Sequence, residues 1–142
     1  MPRNYRLPAL NKVVIVGNLT KDPELRKTSN GTPVSNFRIA SSRRFRDGAG
    51  QSKEEVCYVG VVTWNRLAEA CYDYLRKGSS ALIEGELQSR NWENEDGSKR
   101  SMIEIHAHKV QFLDRREQQT EEEYNEDDNN SYAEEDEGTG NR

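Results

Sequence analysis

Hydrophobic positions fall into short runs and two-residue alternations over the first 113 residues, and then they stop. NKVVIVGNL (11–19) is β-branched, too short for a helix and closed by the turn-prone KDPE, which predicts a largely buried strand. After the turn signals Asn30-Gly31 and Pro33, VSNFRIASS alternates, placing Phe37 and Ile39 on one face and Asn36, Arg38 and Ala40 on the other. That is a half-buried second strand. The basic, glycine-containing RRFRDGAGQSK (43–53) reads as a long hairpin loop leading into a third strand, EVCYVGVVTW (55–64). The period then changes: Leu67, Ala70, Cys71 and Tyr74 recur at helical spacing, with Asn65 placed to cap and Gly78 to stop a helix of about three turns. SALIEGELQSRNW (80–92) and KRSMIEIHAHKVQFL (99–113) return to strand character across an Asp96-Gly97 turn, with Ile103, Ile105 and Ala107 alternating. One helix between the third and fourth of five strands is the order of the Greek-key OB barrel, an all-β fold with a single helix.

Composition sets the boundaries. From Asp114 onward only Tyr124, Tyr132 and Ala133 interrupt charges, Asn, Gln, Ser, Thr and Gly, so this stretch cannot build a core. The expected organisation is a flexible N-terminal arm (1–10), one OB-fold domain (11–113) and a disordered acidic tail (114–142). Charge divides at the same point. Residues 1–113 carry 18 Lys and Arg against 13 Asp and Glu, whereas residues 114–142 carry 3 against 12. A basic body with an acidic tail suits a polyanion ligand, although a solvated surface with a solubilising tail has the same signature. MPRNYRLPAL holds no apolar stretch long enough for a secretory signal, and no segment is apolar enough to span a membrane, so a reducing cytoplasm is the expected compartment. Cys57 and Cys71 both read as small core residues rather than as a disulfide or ligand pair.

Catalytic and metal constellations are sparse. There is no phosphate-binding Gly-rich loop, no G-x-S-x-G elbow and no C-x-x-C; His106 and His108 share one face of the last strand, but nothing at a suitable spacing completes a metal set. No metal, no cofactor and no enzymatic activity are expected. Aromatic residues carry more information, because sequence-tolerant binding of single-stranded nucleic acid needs rings for bases to stack on and cations for phosphates. Tyr58 and Trp64 lie an even six residues apart on one strand and so share a face, which is either a ligand platform or the barrel interior. Trp92, flanked by Arg90, Asn91, Glu93 and Asn94, has little to bury against and favours a platform. Phe45 in Arg43-Arg44-Phe45-Arg46 interleaves a ring with cations, as a backbone-and-base clamp or as an ordinary loop with one apolar contact.

Taken together, NKVVIVGNLTKDPELR, TPVSNFRIASSRR, WNRLAEACYDYLRKGSSALIEGELQSRNW and the closing VQFL resemble the bacterial-type single-stranded DNA-binding protein family, in order and spacing, over about residues 10–113. The resemblance implies an OB fold that assembles into a homotetramer and wraps single-stranded DNA in replication, recombination and repair, nucleoid-associated in the cytoplasm. It also implies base stacking on Phe45, Tyr58, Trp64 and Trp92, where Phe45 and Tyr58 stand at positions familiar as tryptophan. Phosphate-facing cations would include Arg26, Arg66, Arg76, Lys77 and Arg90, with Arg43, Arg44 and Arg46 as neighbours. Three departures stand out. Val59-Gly60 replaces a frequent His-Arg, and Gln88 and Asn91 replace frequent basic residues, which predicts weaker and less salt-sensitive binding. EEDEGTGNR lacks the family's Pro-Phe tip, so recruitment of replication and repair proteins would rest on the acidic run alone. Twelve tethered acidic residues would still compete with DNA for a basic groove. The rival readings are an RNA-binding OB protein, a primosome-type interaction subunit that keeps the fold without strong DNA binding, and a small hydrolase, the last lacking any visible nucleophile-base pair.

Overall fold

The computed structural model describes residues 6–114 and, for the backbone, Glu123–Asn125. Eight elements follow in chain order: β1 (Val13–Leu19), β2 (Glu24–Lys27), β3 (Pro33–Arg46), β4 (Ser52–Trp64), α1 (Asn65–Tyr74), β5 (Ser80–Glu93), β6 (Lys99–Phe112) and β7 (Glu123–Asn125). Five of the strands close on themselves. β1 pairs antiparallel with β5, β5 with β6 and β3 with β4; β4 and β6 run parallel over Gly60–Val62 and Glu104–His106; and β1 meets β3 at Asn18–Leu19. This circuit is the five-stranded OB barrel expected from the element order, with α1 on the crossover between β4 and β5.

The alternation read from the sequence assigns the two faces. Phe37, Ile39, Val61, Ile83, Ile105, Ala107 and Val110 point inward and form one buried cluster with Leu19, Leu67, Cys71 and Leu75. The helix contributes Leu67, Ala70 and Cys71 to that cluster, with Tyr74 half-buried at its edge against the Phe112 ring. Two glycines sit where backbones pass too closely for a side chain. A Cβ at Gly17 would stand 2.7 Å from the Ala40 carbonyl oxygen, and one at Gly85, beside the β5 irregularity, would collide with the His106 backbone.

Several expectations are corrected. The turn region after β1 contains β2, a four-residue edge strand paired with β3; KDPE and its flanks are too polar to show a strand period. The long basic loop at 43–53 is mostly strand. β3 and β4 continue as a paired ribbon to Arg46 and Ser52, leaving a tight Asp47–Gln51 turn in which the Asp47 carboxylate accepts from the Ala49 and Gln51 amides. Asn65 does not cap α1. Trp64 occupies the cap position in an extended conformation with no side-chain cap bond, and Asn65 takes a left-handed φ of 61°. Cys57 is exposed rather than core, because β4 has left the barrel at that level and both faces of the ribbon meet solvent. Within the expected tail, Glu123–Asn125 forms a short strand on β6 at Lys109–Gln111; the rest of 115–142, like residues 1–5, lies outside the described residues.

The two thiols therefore differ sharply. Cys71 is fully enclosed, and burial pushes its thiol well above the usual range despite a hydrogen bond with Thr63. A colorimetric thiol titration of the native protein at neutral pH should give one fast equivalent per chain from Cys57. The second equivalent should appear only on unfolding; two fast equivalents would contradict this core.

Candidate nucleic-acid interface

Because paired residues in a sheet share a face, the registers define the outer surface of the barrel row by row. Val62, Asn36, His106 and Glu86 form one row, Arg38, Gly60, Glu104 and Gln88 the next, and Arg90 and Met102 a third, level with Ala40 and Tyr58. Beyond these the two long ribbons separate, and Trp92 pairs with Arg100 on the same face. Trp64 follows Val62 at the head of the face. Three of the four sequence-selected rings, Tyr58, Trp64 and Trp92, thus occupy one continuous outer face. The barrel-interior alternative for Tyr58 and Trp64 is excluded: the inward residues of β4 are Val59 and Val61.

Each ring has a distinct setting. Tyr58 is 60% exposed, opposite the small Ala40, so its face is open. Trp92 is 43% exposed, with the Arg90 guanidinium carbon 5.6 Å from its ring centroid. Trp64 is half-buried. Its Nε1 is enclosed without a hydrogen-bond partner among the described residues, and the His106 ring lies 6.4 Å away. The His106 ring in turn packs, tilted, with its centroid 4.8 Å from that of His108, whose Nε2 is 3.6 Å from the Glu86 carboxylate. Among the described residues, no group of three or more His, Cys, Asp or Glu side chains is placed to hold a metal ion.

Phe45 stands apart. Its register with Lys53, unbroken from Val34↔Trp64, puts it on the ribbon face that continues the barrel interior, opposite to Tyr58. There it lies under Arg43, whose guanidinium carbon is 4.5 Å from the ring centroid.

The cations also divide. On the ribbon, Arg43 faces Glu55 at 3.6 Å and Arg44 faces Glu54 at 4.0 Å, so their charge is matched locally, while Arg46 donates to the Gly50 carbonyl. Arg76 donates to the Tyr72 and Leu75 carbonyls and closes the C-terminal end of α1, a structural position. Lys77 is anchored through its backbone amide to the Asp22 carboxylate, and Arg66 lies half-buried at the start of α1. Arg26 and Arg90 stand on the outer face itself, Arg26 through its pairing with Val34 and Arg90 beside the buried carboxylate of Glu104 at 3.9 Å. Sequence reading missed Arg38, Arg100 and Glu104. The alternation of β3 already placed Arg38 outward, whereas Arg100 and Glu104 needed the β5–β6 register.

A closed barrel with one helix on the β4–β5 crossover, inward aliphatics and an outward band of rings and cations is an OB-fold protein. Comparison makes the assignment specific. The Single-strand binding protein family profile matches residues 10–113. The chain is 56% identical over 118 residues to single-stranded DNA-binding protein 2 of Chlorobaculum tepidum, covering 82% of this chain and 80% of that one. It is 47% identical over 105 residues to single-stranded DNA-binding protein A of Bacillus subtilis, covering 74% and 60%. In three dimensions it is similar to the Plasmodium falciparum protein solved as an SSB complex with ssDNA. The TM-score is 0.70 at 23% identity, over 78% of this chain and 100% of that one, a likeness of fold. The chain belongs to the single-strand binding protein family.

The unequal exposure of the two indoles gives a direct check. In single-tryptophan variants, acrylamide should quench the retained Trp92 of Trp64→Phe several-fold more steeply than the retained Trp64 of Trp92→Phe; equal slopes would contradict the half-buried setting of Trp64.

Proposed function

We propose that this chain binds single-stranded DNA without sequence preference, without performing chemistry on it, and serves replication, recombination and repair by protecting exposed strands. The observation that carries this reading is the shared outer face of Tyr58, Trp64 and Trp92, interleaved with Arg26, Arg38, Arg90 and Arg100. Bases stack on the rings and the backbone follows the guanidinium groups; each good ring contact contributes about 1–3 kcal/mol, and every base offers a π-face. The names of the bacterial relatives support the same ligand. Phe45 and the ribbon cations Arg43, Arg44 and Arg46 extend the path where the DNA strand wraps round the projecting ribbon, Arg43 and Arg44 exchanging their carboxylate partners for phosphates. Such exposed pairs are held by about 0–1 kcal/mol and give way readily. Glu54 and Glu55 lower the ribbon's potential, so the barrel face supplies most of the affinity.

Titration with poly-dT should quench the indole fluorescence strongly at low salt, and affinity should fall as salt rises. Trp92→Ala should weaken binding by about 1–3 kcal/mol with an unchanged unfolding midpoint. Matched DNA and RNA oligomers in competition should favour DNA. Absence of quenching at every salt concentration would instead favour an interaction subunit that keeps only the fold.

We further propose that the chain works as a homotetramer. Supporting this, the outer face of β1 is apolar and uncovered, with Val14 56% and Val16 46% exposed, a surface suited to burial against another copy. Sedimentation equilibrium should return about four times the chain mass of 16.3 kDa. Val14→Glu with Val16→Glu should lower that mass; a monomeric parent chain would refute the assembly.

A further inference from the structure

In the middle row of the outer face, a strand position without a side chain stands beside a neighbour that carries a cation. Gly60 of β4 pairs with Arg38 of β3 on one side and with Glu104 of β6 on the other. A Cβ at Gly60 would stand 3.7 Å from the Arg38 Nη1 and 3.9 Å from the Glu104 Cβ. The tip of the Arg38 side chain therefore stands beside the bare backbone of the neighbouring strand, in van der Waals reach of where a side chain at position 60 would begin. Gly60 has a φ that any residue adopts, so its smallness rather than its backbone freedom matters.

This places a planar cation between two stacking rings. Along β4, Tyr58 is two residues from Gly60 in one direction and Trp64 four residues in the other, about 7 Å and 13 Å at strand rise. The groove around it is lined by Lys21, Asp22, Glu24, Asn36, Arg90 and Glu104. Its acids are partly engaged elsewhere: Glu104 with Arg90, and Asp22 with the Lys77 amide. Arg38 itself is exposed and makes no ion pair among the described residues, unlike Arg43, Arg44 and Arg90.

We propose that Arg38, beside Gly60, is the phosphate seat that carries the DNA backbone between the bases stacked on Tyr58 and Trp64. The proposal rests on the single-stranded DNA reading above and names a residue-specific site within it. A guanidinium group presents its donors to phosphate oxygens as a planar fork, and at Arg38 those donors are not taken up by a carboxylate among the described residues.

The test measures affinity of the full chain for a short oligo-dT across a salt series, for the parent protein, Arg38→Ala, Gly60→Val and the double variant Arg38→Ala, Gly60→Arg, with Trp92→Ala as reference. Arg38→Ala should weaken binding about tenfold or more and lower the slope of log affinity against log salt by about 0.7, the loss of one phosphate contact. Gly60→Val keeps the charge count but puts a branched side chain against the guanidinium, so it should weaken binding in the same direction. Returning a cation to the row from β4 in the double variant should restore the slope. If Arg38→Ala leaves affinity and slope unchanged while Trp92→Ala weakens binding, the phosphate seat is refuted and the stacking face stands. Lower affinity with an unchanged slope would also refute it, since no phosphate contact would have been lost. Failure of the parent protein to bind at all would remove both the seat and the reading beneath it. Thermal unfolding of each variant keeps a folding defect from being read as lost binding.

Discussion

Three residue pairs between two parallel strands hold the architecture together. Gly60, Val61 and Val62 of β4 lie beside Glu104, Ile105 and His106 of β6, and this short contact joins the β3–β4 ribbon to the β5–β6 ribbon. Without it the sheet would end in two unpaired edges and the barrel would be open. The same pairing serves the interior and the exterior at once. Val61 and Ile105, each 1% exposed, meet in the core, while Gly60, Glu104, Val62 and His106 face outward. A slip of one residue would turn the core outward and the rings inward, so burial of the aliphatics enforces the layout of the outer face.

The division between barrel and ribbons explains much of the surface. Within the barrel, inward residues are sealed by the opposite wall. Past it, β3 with β4 and β5 with β6 run on as two-stranded arms whose faces both meet water, which is why Ile103 and Cys57 are exposed although they continue inward-facing series. On the arms, cations find cross-strand carboxylates, Arg43 with Glu55 and Arg44 with Glu54. On the barrel face, acidic residues are fewer and one of them, Glu104, is buried beneath Arg90. Adjustable charges on projecting arms and positioned rings on the barrel wall are the combination that the proposed sequence-tolerant binding of single-stranded DNA calls for.

Most of the fold was legible in the chain itself. Five strands and one helix in the right order, Phe37 and Ile39 inward, and Leu67, Ala70 and Cys71 on the helix's core stripe all follow from residue periodicity, because each strand or helix must bury one side. Where polarity hides the period, reading failed: β2 is too short and charged, and the basic stretch 43–53 looks like loop although cross-strand pairing makes it ribbon. Asn65 had the chemistry of a cap but not its backbone, since the turn from β4 into α1 takes it to a left-handed conformation.

For the site, the sequence alone supplied the ring and cation identities and the even spacing that holds Tyr58 and Trp64 to one side. Local alternation determines that much because it depends only on the two-residue strand period. Which side faces out, and which residues of distant strands stand in the same row, depended on the closed register. That register set Trp92 and Arg90 with Tyr58, turned Phe45 to the other face, matched Arg43 and Arg44 with glutamates and set Arg38 beside Gly60. Such arrangements depend on contacts between distant positions, the Asn11 side chain and the Leu87 backbone pairing across 76 positions, and only burial of a common core brings them together.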